Sequence, residues 1–334
     1  MDIDSIRFYS QNKYFKHPQI LQMEVTNVCP LKCKQCYKSV SKKYISIPLY
    51  NKIINECNDI GVKTIMLNGG EPLCHPDIDY FCLHAAEYNI NTFCFTSGYN
   101  LTEKNIDSFN KSNTNVSISL NGSTETINSL SRDGYEYSLN ALELLKSVNK
   151  IKYGINWVAR ADNVYDFPNL VELALKKKAS WINVISNKIV NSELVSPLGI
   201  KEYSYLSKCI TTYRRQIDIN IETCFSLLLV FMDVNRGETA KGCFAGRGVC
   251  FVDADGNYMP CSHLYYPEKR KSLLDYWNDS KTLASLREDR KQNFCNDCSF
   301  ESKCRFCHAV SKETHDNLCY GYNNCPVKNL INQK

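Results

Sequence analysis

Apolar and polar positions along the chain follow two periods. From residue 21 to about residue 190, short β-branched or aromatic runs precede longer amphipathic segments, a pattern typical of βα units and a parallel sheet. The short runs predict six strands: Leu21–Thr26, Val62–Leu67, Thr92–Thr96, Asn115–Leu120, Tyr153–Val158 and Trp181–Ile185. Helical spacing predicts six helices: Pro48–Ile60, Asp77–Tyr88, Thr102–Asn110, Tyr135–Val148, Phe167–Lys178 and Lys201–Gln216.

Six parallel strands joined by right-handed crossovers form either an open doubly wound sheet or a partial barrel. Both architectures place functional residues on the loops that follow the strands. Beyond about residue 225, Gly, Cys, Asp and aromatic residues dominate and the helical period fades. The pattern therefore predicts an N-terminal segment at residues 1–20, an α/β core at 21–224 and a small metal-dependent domain at 225–334.

The composition is that of an ordinary globular protein, with 334 residues, 43% of them hydrophobic and 22% charged. The net charge of +5 comes without a polybasic block, so a nucleic-acid partner is not indicated. The longest apolar run, Cys224–Met232, is too short to cross a bilayer. Met1–Lys16 contains no apolar stretch of the signal-peptide kind. We expect a cytoplasmic protein without a membrane partner.

Cysteine changes this picture, because the chain contains 18 of them. A reducing compartment disfavours disulfides, so thiolates held by metal are the simpler interpretation. Three cysteines lie close together near the N-terminus and nine lie at or beyond residue 243. The six scattered cysteines are expected to be buried apolar side chains: Cys57, Cys74, Cys82, Cys94, Cys209 and Cys224.

The loop after the first predicted strand reads Cys29-Pro-Leu-Lys-Cys33-Lys-Gln-Cys36-Tyr37. Three thiolates on one tight loop can hold three irons of a 4Fe–4S cluster and leave the fourth iron without a local protein ligand. An open iron is a reaction site. The alternative is a three-cysteine zinc loop completed by a distant histidine.

Three further strand ends carry candidate ligand-binding residues. The second strand ends in Asn68-Gly69-Gly70-Glu71-Pro72, where glycines permit close backbone approach and a carboxylate can hold an ammonium group. The third ends in Thr96-Ser97-Gly98, which a plain turn explains equally well. The fourth gives Ser117 to Gly122 followed by Arg132, whose guanidinium suits a carboxylate.

In this order the motifs resemble those of the radical S-adenosylmethionine (SAM) superfamily. The resemblance implies a partial (β/α)6 TIM-type barrel in which the open iron binds SAM and one electron cleaves it to a 5′-deoxyadenosyl radical that takes hydrogen from substrate. No catalytic base is assigned, and Asn121 stands where the family usually has Asp. The implied cofactor-binding residues are Tyr37, Gly69, Gly70, Glu71, Ser97, Ser119 and Arg132.

The C-terminal cysteines resemble the SPASM domain, which houses two auxiliary 4Fe–4S clusters in relatives. The spacing departs from the family at Cys304 and Cys307, which are separated by two residues instead of three. A zinc ribbon is the alternative. By the resemblance, the first cluster takes Cys243, Cys250, Cys261 and Cys307, and the second takes Cys295, Cys298, Cys304 and Cys319, with Cys325 as a spare that can exchange with Cys319.

The two resemblances together imply a maturase that oxidatively modifies a ribosomally made precursor peptide, with a side-chain crosslink as the leading product. An external one-electron reductant of the flavodoxin or ferredoxin type is then required. A separate leader-binding protein is one option for substrate recognition. The alternatives are dehydrogenation or epimerisation of a small metabolite, a zinc-stabilised binding module, and sulfatase-type maturation. Ser262 disfavours the last, because those enzymes place Asp at this position.

Overall fold

The structure, a computed structural model, describes residues 8, 9, 11–38, 41–148, 150–188, 198–232, 242–288, 298, 304–321 and 325. Its strands form a single sheet in the order β7-β6-β5-β4-β3-β2-β1-β8-β9. All neighbouring pairs are parallel except β8 and β9. The strands are β1 (Ile20–Thr26), β2 (Thr64–Gly69), β3 (Asn91–Thr96), β4 (Asn115–Ser119), β5 (Tyr153–Ala159), β6 (Trp181–Ser186), β7 (Asp218–Ile221), β8 (Val249–Val252) and β9 (Tyr258–Met259).

Helices connect these strands, and short 3-10 turns lie at Pro72–Cys74 and Val164–Asp166. The α-helices are α1 (Ile47–Ile60), α2 (Ile78–Glu87), α3 (Glu103–Ser112), α4 (Glu125–Asn128), α5 (Tyr135–Lys146), α6 (Phe167–Lys176), α7 (Ile200–Tyr213), α8 (Ser226–Phe231), α9 (Leu273–Asp279), α10 (Lys281–Arg287) and α11 (His308–His315). None of the helices in the described ranges is both long and apolar enough to cross a membrane.

Local chemistry defines the helix ends. At α1, the Ser46 hydroxyl accepts a hydrogen bond from the Leu49 amide, and a proline in the first turn suits a position that needs no amide hydrogen. The helix ends at Gly61, whose φ of 82° lies in the left-handed region that glycine tolerates best. The chain can therefore turn directly into β2.

Strands β1 to β7 follow one another across the sheet in chain order, and this order leaves one face of the sheet without helices. Right-handed crossovers that always advance in one direction place their helices on the same face of the sheet, unlike a doubly wound sheet, in which the order reverses. In β1, Leu21, Met23 and Val25 are fully buried in the core. The alternate residues Gln22 and Glu24 therefore lie on the opposite face, which is free to receive ligands. The predicted α/β parallel sheet is confirmed, and it is unclosed.

The region beyond residue 225 joins this sheet. Strand β8 pairs in parallel with β1, with Leu21 opposite Cys250, and β9 pairs antiparallel with β8. The six predicted strands are all present, whereas β7, β8 and β9 were not predicted. The division into residues 1–20, 21–224 and 225–334 stays a prediction, although the last segment contributes two strands to the common sheet.

Candidate cofactor site

The cysteine loop after β1 is attached to the neighbouring loops by side-chain amides. Asn121 donates from its Nδ2 to Gln35 Oε1 at 2.9 Å and to Ser131 Oγ at 2.8 Å, and the Gln35 amide donates to the Ser131 carbonyl at 3.2 Å. An ionised aspartate could accept these hydrogen bonds but not donate them. This difference explains why an asparagine and not an aspartate occupies position 121. Its amide binds Gln35, which lies between the second and third cysteines of the loop.

Within this loop the three motif thiols are accessible. Cys29 and Cys33 are half-buried and Cys36 is exposed, and the Cys36 amide donates to the Cys33 carbonyl at 3.1 Å. The pKa of the Cys29 thiol is raised, chiefly by burial. Cys33 and Cys36 also raise it, so their side chains lie close to that of Cys29. Three thiols gathered on one accessible loop fit the donor set that three irons of a 4Fe–4S cluster need.

The two glycines after β2 lie directly against the start of the cysteine loop. The Gly70 amide donates to the Thr26 carbonyl and the Glu71 amide to the Val28 carbonyl, both at 2.8 Å. A Cβ added at Gly70 would lie 2.4 Å from the Val28 oxygen, and Gly69 has a φ of 142°. Only glycine permits this approach without displacing the loop, so the glycine pair sets the position of the loop beside the sheet.

The Glu71 carboxylate is fully engaged by the protein itself. It is 1% exposed and accepts hydrogen bonds from the Leu73 amide and the Thr96 hydroxyl on one oxygen, and from the Ser97 amide and hydroxyl on the other. These four donors occupy the lone-pair sites that a carboxylate offers. Burial raises the pKa of Glu71 against the opposing effect of these hydrogen bonds. The structure thus places Glu71 and Ser97 together as a brace between the ends of β2 and β3.

Several polar atoms are buried without a hydrogen-bond partner in the part of the chain that the structure describes. They include Arg132 Nε, Asn68 Oδ1 on β2 and Ser117 Oγ on β4. Asn68 and Ser117 alternate with the core residues Leu67 and Val116, which places them on the free face of the sheet. Buried polar groups are normally satisfied, so unpaired ones on this face fit a site that a polar ligand completes. Ser119 lies at the end of β4 and is half-buried.

Tyr37 connects the cysteine loop to the C-terminal region. Its ring stacks on that of His263 with centroids 4.0 Å apart, and its hydroxyl interacts with Ser262. Ser262 Oγ also lies 3.1 Å from His263 Nδ1. Burial raises the pKa of Tyr37. Because Ser262 and His263 directly follow Cys261, this contact brings the first cysteine group next to the second.

The C-terminal thiols separate into groups that the sequence did not fully predict. Cys243 and Cys307 lie close to Cys261, whose pKa burial raises to about 12, with smaller contributions from those two thiols. Cys224, expected to be an apolar side chain, interacts with both Cys243 and Cys307. The structure therefore brings Cys243, Cys261 and Cys307 together and adds Cys224 to them, while their role as cluster ligands stays a prediction.

Cys250 lies elsewhere. It is fully buried on β8, opposite Leu21. The pKa of Cys57 on α1 is raised mainly by burial and also by Cys250, so these two thiols are neighbours. The next residue, Phe251, contacts the Lys38 ammonium, which lies 4.8 Å from the centroid of its ring. Lys38 also forms an ion pair with Glu24 on the free face, so Phe251 faces that side. Neighbouring strand residues point to opposite faces, so Cys250 belongs to the helix-covered core.

Two of the remaining thiols lie near α7 and α8. Cys304 is 3.4 Å from the Ser226 hydroxyl, and both Cys304 and Cys325 lie near the Tyr203 hydroxyl, whose pKa is raised first by burial. Cys298 and Cys319 are half-buried, and Cys295 lies outside the described residues. Among the described residues, no three His, Cys, Asp or Glu side chains converge on a point for one metal ion. Cluster ligands need only surround a common volume, since each iron takes one thiolate.

A buried ion pair lies beside the second thiol group. Lys188 Nζ is 2.7 Å from Glu222 Oε1, with side-chain exposures of 7% and 29%. Burial lowers the pKa of Lys188, but the Glu222 carboxylate and the nearby thiols Cys224 and Cys307 outweigh it and raise the pKa overall. Glu222 also accepts hydrogen bonds from the amide and hydroxyl of Ser186. The pair thus fixes a positive charge near the end of β6.

We expect the Glu222→Gln substitution to destabilise the cluster-free protein by about 3 kcal/mol, because the Lys188 ammonium would stay buried without its carboxylate counter-charge. Thermal unfolding of the wild type and the variant measures the loss. The double variant Lys188→Met/Glu222→Gln removes both charges and should recover much of the stability. Equal losses in the single and double variants would instead assign the effect to the hydrogen bonds with Ser186.

Comparison with known proteins gives two domain matches and a shared fold. Residues 23–174 match the radical SAM superfamily, and residues 243–299 match SPASM, an iron–sulfur cluster-binding domain. SuiB of Streptococcus suis bound to S-adenosylmethionine is 20% identical, with a TM-score of 0.80 over 96% of this chain and 80% of SuiB.

Two further structures show the same likeness. SuiB of Streptococcus suis bound to precursor peptide SuiA is 19% identical, with a TM-score of 0.81 over 96% of this chain and 79% of SuiB. Native anSMEcpe with bound AdoMet is 15% identical, with a TM-score of 0.71 over 94% of this chain and 96% of anSMEcpe. At these identities, the likeness establishes a common fold.

Proposed function

Because the chain is a radical SAM protein with a C-terminal SPASM domain, we propose that it is an enzyme that oxidatively modifies a ribosomally made peptide. The contact of Tyr37 with His263 carries this proposal, since it brings the cysteine loop and the C-terminal thiols to the same end of the sheet. A radical formed at the first group then arises close to groups able to accept an electron. SuiB, which shares the fold, was solved with a precursor peptide.

In this proposal Cys29, Cys33 and Cys36 hold a 4Fe–4S cluster. When bound, the cluster supplies the electron that cleaves SAM to a 5′-deoxyadenosyl radical. Gly69 and Gly70 hold the cysteine loop against the end of β2, where their backbone would line the cofactor site, and the unpaired guanidinium nitrogen of Arg132 would receive the carboxylate of SAM. Tyr37 and Ser119 are the remaining residues of the proposed cofactor site. Glu71 and Ser97 act by holding the glycine turn in place.

The C-terminal thiols are proposed to hold two auxiliary clusters that remove the electron left on the substrate radical. Cys304 and Cys325 share the neighbourhood of Tyr203, which supports Cys325 as an alternative to Cys319 for the last ligand of the second cluster, together with Cys295 and Cys298. An external one-electron reductant of the flavodoxin or ferredoxin type is needed to begin each turnover. A crosslink releases two hydrogens from the peptide: the 5′-deoxyadenosyl radical would take one as an atom, and the other would leave as a proton to solvent and an electron to an auxiliary cluster.

The free face of the sheet suits a peptide substrate. Asn183 Nδ2 donates to Asn156 Oδ1 at 2.7 Å, and Asn220 Nδ2 donates to Asn183 Oδ1 at 3.2 Å. This row of amides crosses β5, β6 and β7. Primary amides offer the same donors and acceptors as a peptide backbone, so the row can bind an extended substrate independently of its side chains.

Co-expression with short open reading frames from the gene neighbourhood tests the proposal. We expect one encoded peptide to lose the mass of two hydrogen atoms, because joining two side chains by a new bond removes one hydrogen from each. Tandem mass spectrometry locates the bond by the missing fragments between the joined residues. The Cys29→Ala variant is the matched control and should leave the peptide unmodified.

Other outcomes identify other functions. An unchanged mass in ordinary water, together with one deuterium at an α-carbon when the reaction runs in heavy water, indicates epimerisation of the peptide instead of a crosslink. SAM cleavage that depends on a free metabolite, with every peptide unchanged, contradicts the proposal and supports the small-molecule alternative. Modification only after adding a second protein of the same neighbourhood identifies a leader-binding partner.

A further inference from the structure

Cys224 occupies a position that the C-terminal cysteine pattern does not include. It lies in the turn between β7 and α8, before the region of the SPASM match. Its side chain interacts with those of Cys243 and Cys307. Cys261 lies near the same two thiols. Four thiols, at positions 224, 243, 261 and 307, therefore lie close together.

Cys250 lies on the helix-covered face of β8, opposite to the face that carries Phe251. Its neighbours are Leu21 on β1, Cys57 on α1 and Arg287 on α10. It is 0% exposed in the apolar core, and burial raises the pKa of its thiol. Reaching the other thiols would require β8 to flip or to slip by one residue, which would also move Phe251 from the free face into the core.

We propose that Cys224, together with Cys243, Cys261 and Cys307, ligates the first auxiliary cluster, and that Cys250 is a core residue. This inference rests on the proposed function, because it assumes that the C-terminal thiols hold iron. It gives every iron of that cluster a thiolate from the protein. A fully ligated cluster can accept an electron but has no open iron for substrate, which specifies its role in the reaction.

The surrounding charge agrees with this assignment. Four thiolates around one cluster are strongly anionic, and burying them requires compensation. The Lys188 ammonium interacts electrostatically with Cys224, Cys307 and Cys261. It is itself held by Glu222 at 2.7 Å. The buried cation therefore lies beside this thiol group and offsets part of its negative charge.

The test compares Cys224→Ala with Cys250→Ala, both in the Cys29→Ala/Cys33→Ala/Cys36→Ala background, so that only auxiliary clusters contribute. After anaerobic reconstitution the parent should hold about eight irons. We expect Cys250→Ala to keep them with an unchanged electron paramagnetic resonance spectrum. Cys224→Ala should either fall to about four irons or give an altered spectrum that responds to added small thiols, which bind an opened iron.

Circular dichroism and the near-isosteric Cys224→Ser variant guard against a folding defect. Serine preserves the packing but is a poor iron ligand, so we expect the same spectral change with an unaltered fold. Loss of iron in Cys250→Ala with a normal Cys224→Ala variant would overturn the ligand assignment alone. A parent that contains zinc and no iron would overturn the proposed auxiliary clusters together with it.

Discussion

Replacing Cys29, Cys33 and Cys36 together by alanine is expected to reduce the reconstituted protein from about twelve irons to about eight and to abolish SAM cleavage. The three thiols stand on one accessible loop and, in our proposal, are the protein ligands of the cluster that reduces SAM. Iron and sulfide analysis gives the first result. Chromatographic detection of 5′-deoxyadenosine under a chemical reductant gives the second.

Cys74→Ala is the matched control for this experiment. Cys74 lies near Cys29, and its pKa is raised to about 11, mainly by burial, with Glu71 and Cys29 also contributing. It lies outside the three-cysteine motif and should keep about twelve irons and full SAM cleavage. Retention of all iron by the triple variant would contradict a cluster on this loop. About four irons falling to none, with zinc present, would show that the C-terminal thiols are structural zinc ligands.

Replacing Glu71 by glutamine is expected to destabilise the SAM-free protein by about 1–3 kcal/mol and to reduce SAM binding strongly. Each carboxylate oxygen accepts one backbone amide, from Leu73 on one side and from Ser97 on the other. Whichever way the glutamine amide is turned, its NH2 group faces one of these N–H groups. One buried donor is therefore left without an acceptor, and the turn that carries Gly69 and Gly70 shifts.

Thermal unfolding without SAM and calorimetric titration with SAM separate the two effects. Thr96→Val is the control, because it removes the hydroxyl that donates to Glu71 and accepts from the Gly98 amide, but leaves both backbone hydrogen bonds to Glu71 in place. We expect it to cost about 1–3 kcal/mol and to keep SAM binding near that of the wild type. If Glu71→Gln weakened SAM binding at unchanged stability, the carboxylate would be a direct ligand of the SAM amine and not a brace.

Much of the core fold could be predicted because its signals are local. Each predicted strand overlaps an observed one, as with Leu21–Thr26 against Ile20–Thr26, since apolar runs bounded by turns leave few alternatives. The C-terminal strands were missed. Strand β8 is four residues long in a region of Gly and Cys, and its pairing with β1 is set by contacts more than 200 residues apart along the chain.

The same distinction applies to the site. The sequence identified the cysteine loop and the glycine pair, because both motifs are contiguous and their spacing limits the chemistry they can perform. It did not show that Glu71 is saturated by Thr96 and Ser97, or why position 121 is an amide. Hydrogen-bond partners there come from three loops whose relative placement depends on the whole sheet. Lys188 gave no sequence signal, since an isolated lysine is normally a surface residue.

The sequence by itself determined the parallel α/β order, the three-thiol loop after β1 and the presence of a cysteine-rich C-terminal region. Periodicity and contiguous spacing are sufficient for each of these. Only the tertiary structure decided which distant thiols meet. Cysteines are chemically alike, and the resemblance to the SPASM domain assigned Cys250, not Cys224, to the first cluster. The pleat of β8 turns Cys250 into the core, and the turn after β7 brings Cys224 to Cys243 and Cys307.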